Sequence, residues 1–304
     1  MKLLITGSNG LLGQKLLALC IGKGAEVIAT SLGENRFRDF STYISMDITN
    51  PEEVEAVLAK TKPDVLVNTA AMTNVDQCED EKEKCTLLNV DAVKNLIQSC
   101  EAHKTFLVHL STDFVFDGSI GPLLETDKPN PVNFYGESKL KSELLIQESN
   151  IEWAIARTIL VYGVLPNMSR SNIILWVKEN LEKGKEIQVV DDQFRTPTLA
   201  EDLAEGCYLI ATQRAGGIWN ISGKDLLTPY QMAIKTAEFF NLDKNLIKRT
   251  DSSAFRQRAV RPLRTGFIIE KSKSRLGYNP HSFEEGIRIV AGQMNPSNGT
   301  NSPA

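Results

Sequence analysis

The sequence has no apolar run of the roughly 18 residues that a membrane-crossing helix needs, so neither a transmembrane protein nor a membrane partner is expected. Met1 and Lys2 lead through Leu3, Leu4 and Ile5 straight into a glycine motif without a cleavable signal pattern, so secretion is not expected and a cytoplasmic location is the expectation. Cysteine is sparse. The five residues (Cys20, Cys78, Cys85, Cys100 and Cys207) are odd in number, widely spaced and without a Cys-x-x-Cys pair, which argues against a disulfide framework or a zinc site and for reduced thiols. The three histidines (His103, His109 and His281) stand at no ligand spacing, so no metal site is expected. Positive charge is not in excess either: 34 Lys and Arg stand against 38 Asp and Glu, a net charge of -4. That excludes a general nucleic-acid-binding field and leaves any bound anion to a local site.

What remains is a globular composition, 42% hydrophobic and 24% charged over 304 residues, long enough for two lobes. The first half alternates β-branched runs (2–6, 26–29, 42–45, 65–68, 106–111 and 153–157) with amphipathic stretches (11–22, 51–59, 83–102 and 133–148). That alternation predicts an α/β, doubly wound parallel sheet of Rossmann-like type with helices on both faces. After about residue 160 it loosens: helix over 171–182, strand over 187–190, helix over 199–212, strand over 217–222, and a helix to 240 opened by the capping box Thr228-Pro229-Tyr230-Gln231. The expected organisation is a dinucleotide-binding domain over 1–160, with 196–222 returning to it, and a smaller substrate lobe over 161–293. A polar tail over 294–304 reads as disordered.

Thr6-Gly7-Ser8-Asn9-Gly10-Leu11-Leu12-Gly13 places glycines three apart between the first strand and the first helix. Gly7 permits a tight turn, Gly10 a close backbone approach to a pyrophosphate, and Gly13 close helix packing, so the helix N-terminus can hold a dinucleotide. The second strand ends Ala29-Thr30-Ser31 rather than on an acid, and Arg36 and Arg38 follow. Hydroxyls and cations there suit the 2'-phosphate of NADP(H), although both arginines also read as solvated loop charges and NAD(H) stays open. Asp47, before Ile48, reads either as an acceptor for the adenine amino group or as a turn residue ahead of the Asn50-Pro51 helix start.

In Tyr135-Gly136-Glu137-Ser138-Lys139, with Asn133 as N-cap, Tyr135 and Lys139 lie one turn apart on one helix face. An ammonium about 5 Å from the phenol contributes roughly 3 kcal/mol, enough to lower the Tyr135 pKa and make it a serviceable acid. Upstream, Ser111-Thr112 closes the fifth strand, at the sheet end where open α/β folds bind ligands, and its hydroxyls can orient a carbonyl.

Together these segments resemble the extended short-chain dehydrogenase/reductases, in detail the dTDP-4-dehydrorhamnose reductase branch. The matching residues are Thr6 to Gly13, Asn68-Thr69-Ala70-Ala71-Met72-Thr73-Asn74-Val75-Asp76, Asn89-Val90, Ser111 to Gly118, Tyr135 to Lys139, Arg157-Thr158 with Val161-Tyr162-Gly163, Asp192-Gln193 with Pro197-Thr198, and Arg261-Pro262. They follow the family's order over nearly the whole chain. The resemblance implies a catalytic trio of Thr112, Tyr135 and Lys139, with Lys139 also holding the nicotinamide ribose. It places Ala70, Ala71 and Thr73, with Ile48, along the cofactor groove.

The implied activity is NADPH-dependent reduction of a 4-keto nucleoside-diphosphate sugar, with Asp113 and Phe114 beside the sugar. Arg195, Arg261 and Arg264 are candidates for gripping the diphosphate, since planar guanidinium groups bind phosphate bidentately. Two departures bear on the sugar: the reductases of this branch usually carry Tyr where this chain has Phe114, and an aromatic residue where it has Leu160. Dehydratases of the superfamily place Glu after the Thr-Asp pair, so Phe114 disfavours dehydration. The alternatives are a cofactor-binding regulatory subunit, like the non-catalytic subunit of methionine adenosyltransferase, and a nucleotide-sugar epimerase. Homodimers are common in the superfamily, and the resemblance allows one here.

Overall fold

Alternate residues of the central strands face opposite sides of one sheet, and each side is covered by its own helices. The computed structural model describes residues 1–37, 42–165, 171–255 and 257–294. In chain order the strands are β1 (Lys2–Thr6), β2 (Glu26–Ser31), β3 (Tyr43–Ser45), β4 (Val65–Asn68), β5 (Phe106–Thr112), β6 (Trp153–Thr158), β7 (Val161–Tyr162), β8 (Ile187–Val190), β9 (Thr198–Leu199), β10 (Gly217–Asn220) and β11 (Ile247–Thr250). The helices are α1 (Leu11–Gly22), α2 (Pro51–Thr61), α3 (Val75–Asp80), α4 (Lys82–Thr86), α5 (Ala92–His103), α6 (Phe134–Gln147), α7 (Ile173–Glu182), α8 (Ala200–Gln213), α9 (Pro229–Phe239), α10 (Glu270–Leu276) and α11 (Phe283–Met294).

Seven strands form one parallel sheet in the order β10-β6-β5-β4-β1-β2-β3. Leu3, Ile5, Val27, Val65, Val67, Phe106 and Val108 pack on one side against Leu16, Leu17 and Cys20 of α1 and Leu203, Cys207 and Ile210 of α8. On the other side Leu4, Ile28, Leu66 and Leu107 meet Val54 and Leu58 of α2 and Leu96 and Cys100 of α5. Strands covered on both faces read as unbroken apolar runs, which is why β1, β2, β4 and β5 stand out in the sequence. The strand order reverses between β1 and β4, the crevice where such sheets bind ligands.

The chain leaves this sheet and returns to it. After β6 it builds β7 to β9 and α7, then α8 packs back over the sheet and β10 pairs with β6, Gly217 opposite Ala154 and Asn220 opposite Arg157. A second body has its own core: Val177 and Leu181 of α7, Val189 of β8, Ala233 and Ala237 of α9, and Ile247 of β11. Its two-stranded sheet pairs β11 with β8 in parallel.

Three details differ from expectation. The stretch over 83–102 is not one α-helix: α4 passes through a π-helical turn, Leu87–Asp91, into α5. The last helix, α11, runs through Met294, so the polar tail cannot begin there, and 295–304 lie outside the described residues. The short helix α3 and the helices α10 and α11 were not anticipated, since their apolar patterns are brief. All five cysteines are buried, and none is in a disulfide among the described residues. Among the described residues, no helix is long and apolar enough to cross a membrane.

Candidate active site

The glycine loop turns on two glycines. Gly7 has a φ of 66°, left-handed space that a side chain disfavours. A Cβ on Gly13 would stand 2.4 Å from the Gly7 carbonyl oxygen, so only glycine lets α1 start this close to β1. Asn9 locks the loop to the end of β2: its Nδ2 donates to Glu34 O at 2.9 Å, and its Oδ1 accepts from Arg36 N at 2.9 Å. Helix α1 has no side-chain cap, so the N–H groups of Leu11, Leu12 and Gly13 are left for a ligand. The Ser8 hydroxyl is buried and has no hydrogen-bond partner among the described residues. An uncapped helix start beside such a loop fits a dinucleotide pyrophosphate.

A cleft of about 700 Å³ begins here. It runs past Thr69, Ala71 and Thr73 after β4, then Ser111 to Phe114 after β5, to Tyr135 and Lys139 of α6. Leu160, Gln193, Gln257 and Arg261 line its far part. Ser31, Arg36, Asp47 and Ile48 lie off this cleft, at the ends of β2 and β3. Arg36 is exposed, Ile48 sits in the core, and the Asp47 carboxylate accepts from Thr49 N at 2.9 Å and Thr49 Oγ1 at 2.7 Å. Asp47 thus acts as a turn residue ahead of α2, which Asn50 caps. Arg38 lies outside the described residues.

Thr112 closes β5 and caps the 3-10 turn Asp113–Val115, its Oγ1 accepting from Phe114 N at 3.2 Å. Asn133 caps α6 by accepting from Gly136 N at 2.8 Å, which aims Tyr135 at this turn. A Cβ on Gly136 would meet Phe114 O at 2.1 Å, so glycine there lets α6 touch the turn. The Tyr135 ring meets Phe114 edge-on at 5.9 Å, and the Tyr135 phenol hydrogen-bonds with Thr112. Thr112, Tyr135 and Lys139 thus converge on one cleft.

The electrostatics differ from expectation. Burial pushes the Tyr135 phenol above its ordinary pKa, and the Asp113, Cys78 and Cys85 charges push the same way, against the Thr112 hydrogen bond. Burial also brings Lys139 down to about 8, Glu143 and Cys85 opposing it. The expected lowering of the Tyr135 pKa by the Lys139 ammonium is therefore corrected: burial raises it, and Lys139 is itself buried, its Nζ 2.9 Å from His109 Nε2. Around them runs a polar layer with almost no exposure. Ser111 Oγ donates to Glu143 Oε1 at 2.5 Å, and Arg157 donates to both Glu143 oxygens, at 3.0 and 2.7 Å.

Asn89, His109 and Glu143 play no part in the sequence reading as side chains with a task. The π-turn aims Asn89 at the β4–α3 loop: its Oδ1 accepts from Met72 N at 2.8 Å and its Nδ2 donates to Ser138 Oγ at 3.0 Å. A long polar residue in an apolar helix or strand is the signal that could have found all three.

The diphosphate candidates separate. Arg195 is buried, and donates to Phe194 O at 2.9 Å, Leu263 O at 3.0 Å, Pro262 O at 2.5 Å and Gln193 Oε1 at 3.4 Å, while its Nε faces Asp113 at 3.8 Å. Its four Nη hydrogens are spent on these acceptors, which fixes the guanidinium against the cleft that it lines. Asp113 is similarly engaged, accepting from Thr265 Oγ1 at 2.5 Å and Thr112 Oγ1 at 3.1 Å. Arg264 stands away from the cleft, a correction to its expected place beside the diphosphate: it is exposed, stacks over Phe194 at 5.4 Å and borders a separate small pocket with Gly121 and Leu226. Arg261 does reach the cleft, paired with Asp76. Leu160 also lines it, at a φ of 40°, a strained conformation for a branched side chain.

A family model described as the RmlD substrate binding domain matches residues 1–295. A crystal structure of a dTDP-4-dehydrorhamnose reductase from Clostridium acetobutylicum superposes with a TM-score of 0.86 at 28% identity, covering 97% of this chain and all of that one. The Bacillus anthracis dTDP-4-dehydrorhamnose reductase, in complex with NADP, gives 0.85 at 26% identity, over 96% of this chain and 99% of its own. Methionine adenosyltransferase 2 subunit beta of Danio rerio is 33% identical over 83% of this chain and 78% of its own length.

Proposed function

We propose that this chain, which belongs to the RmlD substrate binding domain family, is an NADPH-dependent reductase of a 4-keto nucleoside-diphosphate sugar. The observation that carries this reading is the single cleft that joins the glycine loop to Thr112, Tyr135 and Lys139 and runs on to Arg261.

Gly7 to Gly13 and the uncapped start of α1 would hold the cofactor's pyrophosphate, with Ala70, Ala71 and Thr73 along the groove toward Lys139 and its ribose. When bound, the nicotinamide cofactor supplies the hydride. The Thr112 hydroxyl orients the substrate carbonyl, and the Tyr135 phenol donates its proton to the carbonyl oxygen. A raised Tyr135 pKa keeps that proton in place until negative charge develops on the oxygen. Arg261 supplies the charge for the diphosphate, and Phe114 and Leu160 present apolar surface to the sugar. Ser31 at the end of β2 offers a hydroxyl where an NAD-selective site has an acid, and the NADP complex of the Bacillus relative supports the phosphorylated cofactor.

The test is NADPH oxidation, followed by absorbance, with dTDP-4-dehydrorhamnose and other 4-keto sugar nucleotides. The wild type is expected to turn over at least one of them, and Tyr135→Phe to lose on the order of 10²-fold or more while binding NADPH normally. A wild type that binds NADPH yet oxidises none refutes the reading. That outcome favours a second one, a regulatory subunit, which rests on the 33% identity to the methionine adenosyltransferase beta subunit.

A further inference from the structure

We propose that Asn68 and His109 form a positioning pair for Lys139, presenting to its Nζ an imidazole N–H rather than a lone pair and so favouring the uncharged amine. The catalytic meaning of this pair rests on the reductase reading; the placement of the imidazole proton does not.

The argument starts from a backbone amide, whose role as donor is fixed. Ala70 N–H donates to Asn68 Oδ1 at 3.2 Å, and Thr6 Oγ1 donates to the same oxygen at 2.6 Å. The Asn68 amide is thereby oriented, and its Nδ2 faces His109 Nδ1 at 3.1 Å. An amide nitrogen only donates, so His109 Nδ1 must carry the lone pair. In a neutral ring the proton then sits on Nε2. The ring is neutral: it is fully buried, and burial, the largest cause, holds its pKa well below the ordinary value.

Two groups face that Nε2–H: Ser142 Oγ at 3.2 Å and Lys139 Nζ at 2.9 Å. The serine hydrogen is committed to Lys139 O at 2.7 Å, so its oxygen accepts. An ammonium would oppose hydrogen to hydrogen, whereas an amine offers a lone pair. Opposing this preference are Glu143 on the same helix and Cys85 from α4, both of which favour the ammonium. Tyr135, one turn before Lys139, is the remaining titratable group on that face of α6.

The consequence is a proton store poised to give. Once Tyr135 has passed its proton to the substrate oxygen, a phenolate remains. Lys139 in its ammonium form can return one proton to it and become the amine, which His109 Nε2–H then stabilises. A proton taken up from bulk solvent restores the ammonium, so each turnover consumes one solvent proton, and no electrons move in these steps.

The test uses the intact protein without ligand. With ¹⁵N-labelled histidine and only three histidines, long-range proton–nitrogen correlation spectra read the tautomer directly, and His109→Phe assigns the signal. The expected result is a neutral Nε2–H ring from about pH 6 to 9. A proton on Nδ1, or a charged ring, overturns the proposal.

Competitive acetylation of Lys139, read by mass spectrometry across pH, supplies the second measurement. Asn68→Asp keeps the ring but draws its proton to Nδ1, turning the Nε2 lone pair toward Lys139. The Lys139 midpoint, near 8 in the wild type, should then rise by about one pH unit, tenfold in proton affinity. An unchanged or lower midpoint also overturns it. Neither readout needs turnover, so an inactive protein with an Nε2–H ring would refute the reductase reading alone.

Discussion

Arg261 and Asp76 meet as a two-toothed ion pair, Nη1 to Oδ1 at 2.6 Å and Nη2 to Oδ2 at 2.7 Å, joining residues 185 apart in sequence at the edge of the cleft. The same short segment adds Ala259 N to Asp76 Oδ1 at 3.1 Å and an Arg258–Asp80 pair. The guanidinium proposed to bind diphosphate is thus already held in place by a carboxylate, and a ligand phosphate must share it. Arg261→Ala should weaken sugar-nucleotide binding by about tenfold, roughly 1.4 kcal/mol, and leave NADPH binding unchanged. Calorimetric titration of both ligands checks this, and equal losses for both would assign Arg261 to structure alone.

The same pair gives the protein an acid-sensitive contact. Arg261 holds the Asp76 carboxyl at about 2, below the value near 3.9 of an unfolded chain. A depressed carboxyl stabilises the fold fully above its unfolded pKa and loses that contribution as pH falls through the folded one. The difference in thermal midpoint between wild type and Asp76→Asn should therefore be constant above about pH 5 and shrink between about pH 4 and 2. A difference that persists at pH 2 would mean that the asparagine acts through packing.

Deeper in the molecule, Arg157 and Glu143 are 2% and 0% exposed, and removing one leaves the other charged and dry. Arg157→Leu should cost about 3–5 kcal/mol in urea unfolding. Replacing both by leucine should cost less than the sum of the single changes, because the pair's desolvation is removed with it.

Two glycines of α1 should respond in opposite ways. Gly13→Ala drives a Cβ to 2.4 Å from Gly7 O and 2.6 Å from Ser8 Cα, so NADPH binding should be lost along with stability. At Gly22, in the last turn, a Cβ meets nothing within 4 Å, and Gly22→Ala should be neutral or stabilise by about 0.5–1 kcal/mol. Thermal unfolding with and without NADPH separates the two.

The sheet and the meeting of Thr112, Tyr135 and Lys139 at one cleft were legible because their signals are local. Apolar runs mark strands buried on both faces, a glycine triplet marks the turn after β1, and a four-residue spacing puts Tyr135 and Lys139 on one helix face. Direction across the lobes was not legible. Arg195, Arg261 and Arg264 look alike in sequence, yet the return path of the chain buries the first, pairs the second with Asp76 and stacks the third on Phe194. His109 was passed over because it interrupts an otherwise apolar strand, and its task depends on Asn68, 41 residues earlier. Asn89 owes its aim to a π-turn, which periodicity cannot distinguish from an ordinary helix.

The return of β10 to the edge of the sheet also sets a timetable for synthesis. Residues 1–158 supply six of the seven parallel strands, but α8 (Ala200–Gln213), which covers one face, and β10 (Gly217–Asn220), which closes the edge beside β6, follow only after α7 and β8. On the ribosome, the sheet face later met by Leu203, Cys207 and Ile210 stays partly bare through the synthesis of some forty residues. Exposed apolar surface of that kind is what chaperones engage and what aggregates. The nascent chain is therefore most vulnerable in the interval between β6 and α8, and a ribosome stalled there would release a half-covered sheet rather than a finished nucleotide-binding half.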